Sequence, residues 1–222
     1  MKRLMLSALV VAACALSPSA RAFEWLPLFQ IRAMSMNPTL LDGDYVLAPS
    51  AGVATSLPRG QIVMYRNPKH QERTDVKRIV GISGDRVQMI RGVLQINGSA
   101  VPRERIEDHA MAERDGGARP VRAWREIMPD YGSYATLDLL ENGFFDNTPP
   151  YTVPSGHYFV VGDNRDNSLD SRSQTEVGFV PAENIRGSAA LIVWSVSGDG
   201  RLWQPWTWLS AVRWSRLFNR VR

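Results

Sequence analysis

Six short stretches constrain the fold before any motif is read. GDYVLAPS, GQIVMYR, DVKRIVGI, DRVQMIRGVLQING, HYFVVGD and AALIVWSV are rich in Val, Ile and Tyr, and several alternate with period two. Turn signals part them: Asp42-Gly43, Pro58-Arg59-Gly60, Ser83-Gly84-Asp85, Asn97-Gly98 and Pro154-Ser155-Gly156. Many short strands at this spacing predict a mostly β, antiparallel domain, closed or nearly so. Within it, VQMIRGVLQING predicts a hairpin that turns at Arg91-Gly92. The 222 residues suffice for one domain, or one domain with an insertion.

Residues 102–150 read differently. RERIEDHAMAERDGGARPVRAWRE is dense in charge and offers no clear strand, and an Asp, Asn, Gly and Pro-rich tract follows it. The expectation is an inserted, more exposed subdomain that decorates the core without carrying its chemistry. The β core is then expected over 23–101 and 151–200. A Trp/Arg-rich segment closes the chain at 201–222, with Trp203, Trp206, Trp208 and Trp214 among Arg213, Arg216, Arg220 and Arg222. Leu209, Val212, Arg213, Arg216 and Leu217 share a helical turn pattern. Two readings stand: an interfacial segment with Trp at headgroup depth, or a tail that packs on the domain.

At the other end, Lys2 and Arg3 precede an uncharged run over 4–17, shorter than the ~20 residues of a usual membrane-spanning helix. With Ala20-Arg21-Ala22 behind it, this is either a cleavable secretory signal or a short membrane anchor over 1–22. In both readings the basic start stays in the cytoplasm and the rest is exported. The net charge of +4 suits an anionic surface. The single cysteine, Cys14, excludes an internal disulfide and any cysteine-rich zinc site.

Candidate chemistry starts at SMNPTLLDGDYV, where Ser35 has no histidine near it. The three histidines, His70, His109 and His157, sit in no metal-ligand spacing and in loop or strand surroundings that recommend none as a base. GDNRDNSLDSR, directly after the apolar strand HYFVV, fails as a calcium loop but suits a rigid polar loop at a strand end. The remaining candidate base is Lys77, within RTDVKRIVGISGD. By alternation it shares a face with Ile79, and Arg78 shares the other with Val76 and Val80; alternation does not say which points inward. At an ordinary pKa of about 10.4 only ~1 lysine in 2,500 is neutral at pH 7, and a pKa of about 8 makes roughly a tenth neutral. Desolvation among Val76, Ile79, Val80 and Ile82 works in that direction, whereas a guanidinium stays protonated.

SMNPTLLDGDYVLA, DVKRIVGISGDRV and GDNRDNSLDSR, in this order, resemble the sequence boxes of type I signal peptidases, membrane-bound serine proteases with a Ser-Lys dyad. The resemblance implies two antiparallel sheets with an apolar substrate groove. It implies Ser35 as acyl-forming nucleophile, Lys77 as general base and Ser168 as the hydroxyl that orients the lysine ammonium. Asp170 and Arg172 would form a supporting pair beneath the site, and Met36 would line the pocket floor. No metal and no other cofactor is implied. The partners would be preproteins with signal peptides and the phospholipid membrane, not nucleic acid, with a monomer as the expected state. The localisation implied is the inner (plasma) membrane, single-pass, with the catalytic domain on the extracytoplasmic face. One departure stands out: Ala33 occupies a position where many members carry a serine that donates to the oxyanion. Other readings are a specialised pilin or conjugation-protein maturation peptidase, or a non-catalytic exported domain that binds peptide or lipid.

Overall fold

The computed structural model describes residues 27–50, 56–112, 117–129, 131–197 and 211–221. Four sheets result, not two, and every strand pair within them is antiparallel. The central sheet has the order β13 (Val180–Pro181), β12 (His157–Val161), β4 (Thr74–Gly81), β3 (Ile62–Arg66), β14 (Ile185–Ser188). A three-stranded sheet orders β1 (Leu28–Gln30), β2 (Asp44–Leu47) and β15 (Leu191–Ser195). The third runs β11 (Tyr151–Thr152), β5 (Arg86–Ile90), β6 (Val93–Ile96), β7 (Ser99–Ala100). The fourth joins β10 (Gly132–Asp138), β9 (Ala118–Met128) and β8 (Arg103–Ala112).

The predicted hairpin is present: β5 and β6 turn through Arg91 and Gly92, with φ of 51° and 71°. Two consecutive positive φ values give the turn whose twist matches the flanking strands. The central sheet is covered on both faces. Ile62 and Met64 pack with Met36, Leu40 and Val46, while Val63, Tyr65 and Ile79 join Val160 and Val180. Being covered on both sides is why β4, from Val76 to Gly81, reads as an apolar run interrupted only by Lys77 and Arg78.

The charged 102–150 tract, read as offering no clear strand, holds β8, β9 and β10, the first two being 10 and 11 residues long. Val121, Ala123 and Met128 of β9 are buried, but Glu126 is too, and a charge at an inward position masks the alternation. Of the helical pattern toward the C-terminus, Leu209 lies outside the described residues and Trp214–Arg216 form a single 3-10 turn. Residues 211–221 run alongside β15, with Phe218 N donating to Ile192 O and Val221 N to Ala190 O. Arg216 is drawn to the buried Asp44 at 2.6 Å, and Arg213 to the carbonyls of Asp42 and Val196. Trp203, Trp206, Trp208 and the 1–22 segment lie outside the described residues. Among the described residues, no helix is long and apolar enough to cross a membrane.

Candidate active site

After β1 the chain passes Ile31 and folds into turns over residues 35–39, closed by Asn37 N to Met34 O (3.1 Å) and Leu40 N to Met36 O (2.9 Å). Met36 and Leu40 are fully buried and pin this turn to the core. A second element holds it from the other side. In the loop after β12, Asn164 donates its N–H to the Ser35 carbonyl (3.0 Å) and its side-chain amide to the Met34 carbonyl (3.1 Å). The N–H of Ser35 itself has no partner among the described residues.

The turn presents Ser35 to β4. Lys77 Nζ donates to Ser35 Oγ at 2.8 Å and to the Val76 carbonyl at 3.0 Å. Lys77 is only 5% exposed. Burial pushes its pKa down from the ordinary lysine value; the charges of Asp170 and Asp75 oppose this, and those of Arg73 and Arg172 assist it. Among the described residues, no carboxylate is ion-paired with Nζ, and the more distant carboxylates only partly offset the desolvation.

The next residue is handled differently. Arg78, on the opposite face, donates to both oxygens of Asp163 (2.8 and 2.7 Å) and to the Gly60 carbonyl (2.6 Å). Thr39 donates to the same carboxylate at 2.6 Å, and the Tyr134 ring lies 3.9 Å from the guanidinium carbon. Both candidate inward residues of β4 therefore point inward, one to each face.

The loop over residues 162–172 carries the rest. Ser168 donates to Asp170 Oδ2 at 2.7 Å, and the Gly162 N–H donates to the same oxygen at 3.0 Å. Arg172 grips Asp170 through Nε and Nη2, both at 2.8 Å, with all these side chains buried. Burial pushes the Asp170 carboxyl up, but Arg172 and these hydrogen bonds outweigh it and hold the pKa below the usual carboxylate range. Gly162 has no room for a Cβ, which would strike the Ser168 side chain and come 2.6 Å from the Ser35 carbonyl oxygen. Arg165 extends the network into β9 through a two-pronged pair with Glu126 (2.6 and 2.5 Å), to which Tyr134 also donates.

Two hollows meet at Ser35 and Lys77. One is walled by Phe29, Ile31, Met64 and Val76, the other by Phe144, Phe145, Ser168 and Leu169. Both share Ala33, Arg73 and Asp75. None of His70, His109 and His157 lines either. Of the residues singled out in the sequence, Ser35, Lys77 and Ser168 are on the lining, and Asp170 and Arg172 lie behind Ser168. Met36 is packed under the turn that carries Ser35, and the methionine on the lining is Met64. Sequence reasoning missed Met64, Asp75, Asn164 and the Phe144–Phe145 pair. Asp75 was reachable, since it precedes Lys77 by one strand repeat on the same face; the others depend on distant contacts.

The family model described as signal peptidase, peptidase S26, matches residues 1–194. A signal peptidase I of Rickettsia bellii (strain OSU 85-389) is 33% identical over 180 residues, covering 73% of this chain and 60% of that one. A signal peptidase I of Rickettsia typhi is 28% identical over 214 residues, covering 90% and 72%. The chain thus spans about 60% of the length of the first of these relatives. A crystal structure of a signal peptidase I from Enterococcus faecalis V583 is 24% identical and covers 60% of this chain and 96% of that one. Its TM-score of 0.34 carries no structural argument. A match over most of its length, with Ser35 and Lys77 in contact at its centre, places this chain in the signal peptidase family, peptidase S26.

Proposed function

We propose that the protein is a serine endopeptidase that removes N-terminal signal peptides from exported preproteins, cutting after small residues in Ala-x-Ala-type sites. The observation that carries this reading is the 2.8 Å contact between a desolvated Lys77 amine and the Ser35 hydroxyl. With Lys77 neutral, the contact reverses and Ser35 O–H donates to the Nζ lone pair. As the Ser35 oxygen bonds to the scissile carbonyl carbon, its proton passes to Nζ. The lysine ammonium then protonates the leaving amine, the C–N bond breaks, and an acyl-enzyme remains. Lys77, neutral again, takes a proton from water as the water oxygen bonds to the acyl carbon. The bond from that carbon to Ser35 Oγ then breaks, and Nζ returns the proton to Ser35.

The substrate chain has a place to lie. β1 is an edge strand, and β4 pairs with β12 only from Arg78 onward, so residues 74–77 keep one unpaired edge toward the first hollow. An extended peptide adds between such edges by main-chain hydrogen bonds. The Ser35 N–H serves as an oxyanion donor, while Ala33 offers no side-chain donor; one such donor is worth about 100-fold where it is used. Ser168 donates its proton to Asp170 and lines the same hollow as Lys77, whose Nζ donates to Ser35 and Val76. Its lone pairs would accept from the lysine ammonium once Ser35 is acylated. Asp170 and Arg172 brace that serine, and Met36 braces the nucleophile turn from below.

Anchoring of residues 1–22 in the plasma membrane, with the peptidase on the extracytoplasmic face, belongs to this proposal and is supported by Lys2, Arg3 and the apolar run behind them. Treatment of 102–150 as an insertion is supported by β8, β9 and β10 forming a sheet of their own. The test is cleavage of a preprotein with an Ala-x-Ala site by the full chain in detergent. Ser35→Ala and Lys77→Ala are each expected to abolish it, and cleavage surviving both would overturn the assignment.

A further inference from the structure

The second hollow has a wall that the chemistry does not require. Phe144 is 89% exposed, an unusual state for a ring held in place. It is held nonetheless. Its ring meets Phe145 edge-on with centroids 4.8 Å apart, and Phe145 lies under the Arg172 guanidinium at 5.0 Å. The backbone around the pair is fastened to the 162–172 loop, since Asp166 Oδ2 accepts from the N–H groups of Leu139 and Leu140 at 2.8 and 2.9 Å. The Gly143 N–H donates to Asp146 Oδ2 at 2.7 Å, and a Cβ on Gly143 would strike the Asp166 side chain. An apolar surface on a locked backbone gains more from contact than a mobile one, because little freedom remains to be lost.

Position decides what it contacts. Any polypeptide held at Ser35 must leave the site in two directions. The first hollow offers the unpaired edges of β1 and residues 74–77, which suit the extended acyl half. The second is walled by the 162–172 loop and the aromatic turn, and it is the path left for the half that departs with the amine. Leu169, 49% exposed, adds apolar surface to the same lining.

We infer that Phe144, seated on Phe145 and joined by Leu169, forms a subsite for an apolar side chain among the first few residues after the cut. The site thereby selects on the mature side of the preprotein as well as on the signal side. This inference rests on the peptidase reading above. It gives the 139–146 segment a direct part in substrate choice.

The test uses the full chain in detergent and soluble preprotein-derived peptides identical up to the cut. After it, leucine or serine is placed in turn at each of the first few positions. For the wild type, leucine at one of these positions raises kcat/KM roughly tenfold over serine. Phe144→Ala brings that ratio close to one, and Phe144→Leu keeps most of it. A ratio measured within one variant does not move if part of the preparation is unfolded. A wild type without downstream preference, or a Phe144→Ala variant with the wild-type ratio, overturns the inference. So does an effect of Phe144→Ala seen only with substrate embedded in vesicles, which would mark the ring as a lipid contact. If the wild type shows no Ser35-dependent cleavage, the peptidase reading fails instead; Ser35-dependent cleavage without the preference removes the subsite alone.

Discussion

Lys77 and Arg78 are consecutive residues of β4, both almost completely buried, and their surroundings treat them in opposite ways. Arg78 meets a carboxylate with two oxygens in register, a carbonyl and an aromatic face. Its charge is fully answered and stays. Lys77 meets a hydroxyl, one carbonyl and apolar walls, with carboxylates acting only from beyond contact. Its charge is poorly answered, and the proton is loosely held. The difference teaches that burial alone does not make a base: burial without an ion-pair partner does. On the peptidase reading, one strand thus supplies a permanent cation that locks the loop and a removable proton for the chemistry.

Exchanging the two behaviours gives the largest effect. Lys77→Arg installs a guanidinium that cannot deprotonate, so kcat/KM on a preprotein should fall by at least about a thousandfold. Activity within about tenfold of wild type would remove the lysine from the base role.

Stability tests the comparison from the other side. Asp163→Ala strands the Arg78 charge and should cost about 3–5 kcal/mol in urea unfolding. Lys77→Met removes a poorly answered cation and should leave stability within about 1 kcal/mol of wild type or raise it. Equal losses in the two variants would show that the two cations are held alike.

Gly162→Ala probes the shared support of both. Its methyl would wedge between Ser168 and the Ser35 carbonyl, and a loss of about 1–3 kcal/mol together with lowered kcat is expected.

The smallest effect is on pH dependence. The proposed mechanism needs neutral Lys77, so kcat/KM should rise with pH through the folded-state pKa, which lies below the ordinary lysine value. The charge of Asp75 raises that pKa, so Asp75→Asn should move the rise toward lower pH. A shift toward higher pH would reverse the assigned sign.

Much of this was legible in the sequence, for identifiable reasons. The strands of the central sheet declare themselves by β-branched runs, and the hairpin at Arg91 and Gly92 by its turn chemistry. Ser35 and Lys77 were reachable because a serine without a nearby histidine leaves few bases. What stayed hidden depends on contacts between distant residues. Arg78 and Asp163 are 85 positions apart, and Glu126 and Arg165 are 39 apart, so neither charge looked inward locally. β8, β9 and β10 were concealed by charges on their solvent side and by the buried Glu126. Phe144 and Phe145 had no local signal, because only the folded loop brings them beside Ser35.

The proton on Lys77 can be observed directly. Lys2, Lys69 and Lys77 are the only lysines in the chain, so lysine labelled at the side-chain nitrogen gives few signals, and Lys77→Met assigns the one of interest. Titration of the folded protein should show Lys77 losing its proton below the ordinary lysine value of about 10.4. A Lys77 signal that stays protonated to that value or beyond would contradict the account.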